Sequence, residues 1–589
     1  MGNYRNFTLT TYFVAHAAAR VTREELEGQI AFLERYMKLD KVYLEPWRGE
    51  MASHEQIEMI REVFHRHGVQ VAGGLTTVIP TPEGDEPKKR LFDTFCYNDP
   101  KMTAKLKEVC TFIGEHFDEF IIDDFFFTNC TCADCARERD AYNRAHGIAA
   151  GWRDYRLDLL RRVSEECIIG PAKKANPNCK ITIKYPNWAE SYQETGYNPG
   201  EQRKIFDKIY TGTETRDPVT TDQHLPRYLS YSLMTYFENM WPGHNGGGWF
   251  DTFDMQITEH YLEQVYLTAF SRPRELMMFC FQSLLGNRFT ASLGFELERL
   301  DEALDQLGRP AGFYCYLPDN CQGEDNVQDY LGMNGLPVVC TPYFPDGARQ
   351  ILLTASSACD PRILEKMDAW LQRTGGTALV TSGFWSAVRD RGYENFTSIR
   401  PSARRVTARS YRVEEVENIC TFPAGAREIS LPVMEFRNNS TWALVKAVHG
   451  EESYGILLRD DCGKGKILTL AVPDAYPDFY QLPAAVWNRI RQELPVEGIR
   501  LEGPGRISIF PTEEDSFILY PYVMRDTQRT RVTVHVQDAC GLEMICTNAP
   551  GYRGGKREIL PLYTKQGEAA FEIPVLPGIY SQYRILRKA

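Results

Sequence analysis

The stretch Phe120-Ile121-Ile122-Asp123-Asp124-Phe125-Phe126-Phe127 decides how the chain is read. An apolar run without polar alternation describes a strand buried on both faces, and this one ends in two carboxylates. The same unit, a short strand followed by an amphipathic helix, recurs on either side. Upstream, a strand over Phe7–Phe13 leads to a helix opened by Thr22 and Glu25, with Leu26, Ile30, Leu33 and Met37 on one stripe. A second strand, Lys41–Glu45, leads to a helix capped by Ser53 and stopped at Gly68. Val69–Gly74 is the third strand, and a helix through Leu106, Val109 and Ile113 follows it. Downstream come Ile181–Tyr185, Lys208–Glu214, a weaker Trp249–Asp251, and Leu276–Phe281. Eight such units within about 300 residues predict a (β/α)8 TIM barrel in the α/β class. A doubly wound open sheet would want a glycine-rich phosphate turn after its first strand, and the sequence has none there.

With 589 residues the chain exceeds what one core supports, so several domains are expected. The barrel takes 1–308. From Gly312 a second strand and helix alternation predicts a flavodoxin-like or amidotransferase-like α/β domain over 309–498, structural in role. Period-two strands such as Val532–Val536 and Phe571–Val575 predict a C-terminal β-sandwich over 499–589. Cys340 and Cys359 lack the glycine flanks of a nucleophile elbow, so no amidotransferase chemistry is expected from the second domain.

The formal charge of −12, with no basic run, argues against a nucleic-acid partner. No segment has the length of apolar sequence a membrane span needs, and the N-terminus lacks a basic-then-apolar leader, so a cytoplasmic protein is expected. Sixteen cysteines are sparse for a disulfide scaffold and are scattered, apart from Cys130-Thr-Cys132-Ala-Asp-Cys135 just beyond the fourth strand. Three thiols this close predict one structural zinc ion, closed by a fourth ligand. Cys96, in the loop after the third strand, is the first choice and Cys110 the second. No organic cofactor is expected.

That cysteine spacing, with an upstream loop cysteine, resembles glycoside hydrolase family 42, the bacterial β-galactosidases. The order of parts is similar too: a barrel, an amidotransferase-like trimerisation domain and a small β domain. The resemblance implies a carbohydrate substrate and an assembly of two or three copies. One departure stands where the family carries an Asn-Glu pair at the end of strand four, because this chain reads Ile122-Asp123-Asp124-Phe125. The family's two catalytic glutamates therefore have no counterpart there. An Asp at that strand end is similar to the α-galactosidases and family 66, in which it is the nucleophile.

Glycoside hydrolysis needs two carboxyl groups facing each other across the sugar. Because successive strand residues face opposite ways, only one of Asp123 and Asp124 is expected to point fully into the pocket. Asp124 is the chosen nucleophile, with Asp123 orienting it or binding sugar. Glu214, where the sixth strand ends, is the chosen acid/base. Arg216 is expected to hold an acidic substrate group or to pair with Asp217. Asp251 is the rival acid/base, reached through a glycine run, Gly246–Gly248, that reads as a flexible pocket wall or lid. Tyr12, His16, Glu45, Trp47, Tyr185, Asn187, Trp188, Trp241, Trp249 and Gln282 are the candidate sugar contacts. The leading expectation is an exo-acting retaining glycosidase. An inverting enzyme using Asp251, a non-catalytic carbohydrate-binding barrel and a zinc hydrolase are the alternatives.

Overall fold

The computed structural model describes residues 2–79, 90–149, 151–414, 428–524 and 528–587, with the backbone alone over 419–421. By compactness these form two units, one of residues 1–223 and 240–301 and the other of 224–239 and 302–589.

The first unit is a closed eight-stranded parallel barrel, as the alternation predicts. Its strands are β1 (Thr8–Phe13), β2 (Lys41–Leu44), β3 (Gln70–Leu75), β4 (Glu119–Ile122), β5 (Lys180–Tyr185), β6 (Lys208–Gly212), β7 (Asn245–Asp251) and β8 (Glu275–Phe279). They pair in sequence order, and β8 closes on β1 through Thr8 opposite Glu275. Two capping signals act as read: Thr22 and Glu25 form a reciprocal capping box on α1 (Arg23–Leu33), and Ser53 accepts from the Gln56 amide on α2 (His54–Arg66). Asp99, which the sequence reading did not single out, caps α3 (Pro100–His116).

Inside the barrel, Tyr12, Tyr43, Ile121, Tyr210, Trp249 and Met277 pack as one cluster. At the N-terminal ends of the strands, Lys41 bridges Glu119 at 3.0 Å and Glu275 at 2.7 Å, and Tyr43 donates to Glu275 at 2.9 Å. Polar groups are thereby satisfied at that end of the barrel.

Strand β7 corrects the expected lid. Gly246, Gly247 and Gly248 are buried members of the strand. A Cβ on Gly247 would lie 2.3 Å from the Glu275 carbonyl oxygen and 2.7 Å from the Tyr210 hydroxyl. The glycines therefore make room for the Tyr210 ring and for close strand pairing. Trp241 stacks on His244 at 4.0 Å before β7 begins, at the opposite end of the strand from Asp251.

In the second unit a nine-stranded sheet has a parallel part ordered Val338–Thr341, Phe313–Tyr316, Gln350–Leu353, Thr377–Thr381, Gly465–Leu470. This is the flavodoxin-like order. Antiparallel strands Glu452–Cys462, Trp442–His449 and Ser410–Val413 extend it on one side. Most of the helix Leu229–Met240 belongs to this unit, although it lies between β6 and β7 in sequence. Tyr228 donates to the Val338 carbonyl at 3.0 Å, and Asn239 donates to that of Cys340 at 2.9 Å. After residue 498, a four-stranded and a five-stranded antiparallel sheet enclose one core, including Leu501, Phe517, Val534 and Phe571. No helix among the described residues is long and apolar enough to cross a membrane.

Candidate active site

Because the cluster in the barrel includes Ile121, strand alternation turns Asp123 inward as well. The strand ends at Ile122, so the pleat no longer governs Asp124, whose amide donates to Asp123 Oδ1 at 2.8 Å. Both carboxylates consequently face one cation. Lys184, near the end of β5, lies 2.7 Å from Asp124 Oδ2 and 3.6 Å from Asp123 Oδ1. The expectation that only one of the pair turns into the site does not hold, for this local reason.

Glu214, two residues beyond β6, meets the same ammonium: Lys184 Nζ donates to its Oε1 at 2.6 Å. Its backbone is fixed by Asn187, whose amide donates to the Glu214 carbonyl at 2.6 Å. Gly212 is required beneath it, since a Cβ there would stand 2.7 Å from Glu214 Oε2. That Oε2 is buried and has no hydrogen-bond partner among the described residues. Asp124 is the most open of the group, its side chain 17% exposed against 4% for Glu214 and 2% for Lys184.

These environments separate the charges. Burial, reinforced by the Asp124 charge, pushes the Asp123 carboxyl up to about 8. Burial also raises Glu214; the Lys184 charge opposes this, and Asp124 and Asp251 add to it. Burial works against the Lys184 ammonium, but Asp124, Glu214 and Asp123 together outweigh it and hold the group above its ordinary range. The ammonium also lies 4.2 Å from the centre of the Trp249 ring, a cation–π contact.

Around this core the remaining candidates take distinct places. Glu45 is fully buried, accepting from Arg48 Nε at 3.0 Å and from the Ala15 amide at 2.9 Å. Arg48 in turn donates to Thr76 Oγ1 at 2.8 Å, which continues to Asp123 Oδ2 at 3.5 Å. Arg216 pairs with Asp251, not Asp217, through Nε at 3.0 Å and Nη2 at 2.7 Å. Asp217 takes His260 at 2.9 Å instead. Arg216 sits in the left-handed region, at a φ of 55°. Gln282 accepts from the Val14 amide at 3.4 Å, and its own amide nitrogen is buried with no hydrogen-bond partner among the described residues.

Tyr12, Trp47, Tyr185 and Trp249 are buried side chains packed in the unit, not open platforms. Tyr12 and Trp249 touch at 5.2 Å inside the barrel, Trp47 stands edge-on to Phe95, and Tyr185 donates to Gln202 at 3.1 Å. Trp188 remains half-buried, edge-on to Phe127. His16 is exposed and pairs with Arg20, outside the group gathered on Lys184.

Lys184 and Thr76 were not expected from sequence. The signal for Lys184 was present: a lysine in the buried strand Lys180-Ile-Thr-Ile-Lys184-Tyr185 needs counter-charges, and only a strand end offers them.

The four sulfurs of Cys96, Cys130, Cys132 and Cys135 lie within 4.8 Å of one another, with Cys96 3.5 Å from Cys135 and 3.8 Å from Cys132. These residues could hold one tetrahedral metal ion. Cys110 lies apart from the cluster, buried inside α3.

A family model described as "Probable glycosyl hydrolase, catalytic domain" matches residues 1–300, half of the chain. The chain belongs to that family. It is a glycoside hydrolase, with its catalytic domain on the barrel. Residues 310–475 match the model of the second domain of uncharacterized protein SSO3021. That protein, from Saccharolobus solfataricus, is 24% identical to this hydrolase over 544 residues, 81% of this chain and 84% of the relative. Among solved structures, α-L-fucosidase isoenzyme 2 from Paenibacillus thiaminolyticus superposes with a TM-score of 0.65 at 12% identity, covering 99% of this chain and 100% of that one. The β-galactosidase from Bacillus circulans sp. alkalophilus gives 0.60 at 11%, covering 97% and 99%. At such identities the likeness is one of fold.

Proposed function

We propose that this glycoside hydrolase is an exo-acting, retaining enzyme that releases a terminal sugar, galactoside-like or related, from an oligosaccharide or glycoconjugate. One observation carries the reading. Asp124 Oδ2 and Glu214 Oε1 both touch Lys184 Nζ, at 2.7 and 2.6 Å, so the two oxygens are at most 5.3 Å apart, the sum of those contacts. Retaining enzymes hold their carboxyl groups about 5–5.5 Å apart, and inverting enzymes about 6.5–9.5 Å.

Asp124, ion-paired and the most open, attacks the anomeric carbon. Glu214, raised by burial, gives its proton to the departing glycosidic oxygen. The bond from sugar to leaving group breaks as the bond to Asp124 forms. In the second half Glu214 takes a proton from water, whose oxygen displaces Asp124. Asp123, protonated near neutral pH, is the uncharged neighbour that orients Asp124. Asp251 is the poorer acid because Arg216 engages both of its oxygens.

We assign Cys96, Cys130, Cys132 and Cys135 to a closed structural zinc site. Zinc–sulfur bonds of about 2.3 Å in a tetrahedron place sulfurs about 3.8 Å apart, which these residues fit. Reduced thiols suit a cytoplasmic location, and assembly into two or three copies rests on the family 42 resemblance. Incubation with a panel of 2-fluoroglycosides, followed by mass spectrometry of the peptides, tests the catalytic reading. A covalent sugar on Asp124 is expected. A product of inverted anomeric configuration, read by NMR, overturns it.

A further inference from the structure

On the outer wall of the barrel, three donor side chains converge that take no part in the site above. His54 and Glu58 stand four residues apart on α2 and so share one face of the helix, and His116 is the last residue of α3. His54 Nδ1 lies 3.4 Å from His116 Nε2, and Glu58 Oε1 lies 3.8 Å from His116 Nδ1. One donor atom from each can be chosen so that all three lie within 4.8 Å of one another.

We propose that His54, Glu58 and His116 form a second metal site, open to solvent, for a divalent first-row transition cation. The separation of the nitrogens supports this. Metal–nitrogen bonds of about 2.0–2.1 Å at a tetrahedral angle place two imidazole nitrogens about 3.3 Å apart. The 3.4 Å between these two is that spacing, and either a shared proton or a metal ion can lie between them. Two imidazoles and one carboxylate are a donor set for zinc, nickel, copper or cobalt, not for calcium or magnesium, which want oxygen.

The site is partly pre-shaped. The Phe112 ring packs on His116 at 4.3 Å, and the His116 side chain is only 9% exposed, so this ligand is held in place. His54 and Glu58 are exposed and close around the ion. Arg61 donates to Glu58 Oε1 at 2.9 Å, so the carboxylate shares its charge between the cation and the guanidinium. Three protein ligands leave one position for water. A metal there would tie α2 to α3 and stabilise the folded state by mass action.

The test is calorimetric titration of Co2+ into the full-length protein whose cysteine cluster has been filled with zinc. One further equivalent is expected, with the weak visible bands of nitrogen and oxygen ligation and without thiolate charge transfer. His54→Ala, at an exposed position outside the group gathered on Lys184, should weaken binding at least tenfold and leave hydrolysis unchanged. Glu58→Gln, which keeps the helix surface, should weaken it as well. No additional equivalent, or an affinity unchanged in His54→Ala, overturns the proposal.

Discussion

Lys184 Nζ stands 2.6 Å from Glu214 Oε1, and neither side chain is more than 4% exposed. A buried cation so close to a buried carboxyl sets how the proton is held, and the Asp124 contact makes the same lysine the counter-charge of the proposed nucleophile.

Replacing that lysine therefore moves two quantities at once. Lys184→Met should lower kcat by about 100-fold, because the nucleophile loses its counter-charge. Lys184 lowers the Glu214 pKa, so removing it raises that pKa further. The alkaline limb of kcat/KM, where the acid loses its proton, should move to higher pH. A fall in rate with an unmoved limb would show that Glu214 is not the acid.

Direct replacement of the carboxylates should separate their roles. Glu214→Gln should cut kcat by about 10²–10⁴-fold on poor leaving groups and by much less on activated aryl glycosides, which need little protonation. Asp124→Asn should lose activity on both kinds. Equal losses across leaving groups in the Glu214 variant count against the assignment.

Asp123 carries a stability prediction. Its folded pKa, about 8, lies above the ordinary value of 3.8, so the folded state favours the protonated form. The stability it contributes is fully present below about pH 4 and is lost as pH rises towards 8. Asp123→Asn keeps the uncharged shape, so its melting temperature should gain on the native protein as pH rises through that window, by roughly 2 °C or more at pH 8. Paired thermal melts at pH 5 and pH 8 check the sign.

The glycine run of β7 should prove rigid. Gly247→Ala places a methyl group against the Glu275 carbonyl and should destabilise the first unit by about 1–3 kcal/mol, measured by denaturant unfolding. A mobile lid would accept the change without cost.

Metal analysis of the native protein should give at least one zinc per chain, and Cys130→Ser should lose one zinc and melt at a lower temperature. A native protein free of metal, purified under reducing conditions, ends that assignment.

The carboxylates were legible because a buried strand that ends in Asp123-Asp124 leaves them no place but the mouth of the barrel. The barrel itself followed from eight repeats of one pattern. Lys184 was passed over because Ile-Thr-Ile-Lys-Tyr reads as ordinary alternation; the buried charge was the available signal, but its partners, Asp124 and Glu214, lie just beyond the ends of the two neighbouring strands, where the sequence alone does not pair them with it. Gly246–Gly248 misled for the opposite reason. Glycine announces freedom in sequence, whereas here its missing side chain is filled by Tyr210. Tyr12 and Trp249 follow the same logic, since an aromatic at a strand end packs inward when the barrel interior has space for it.

The helix Leu229–Met240 has its partners near residues 329–340, in the second unit, about 100 residues further along the chain. At about 5–20 residues per second of synthesis, it waits some 5–20 s on the ribosome with that face uncovered, while β7 and β8 emerge. The last strands of the barrel are thus made while this segment still lacks its final contacts. A gene cut after residue 301 would leave that segment permanently exposed, which makes chaperone demand and solubility, more than catalysis, the first thing such a truncation would change.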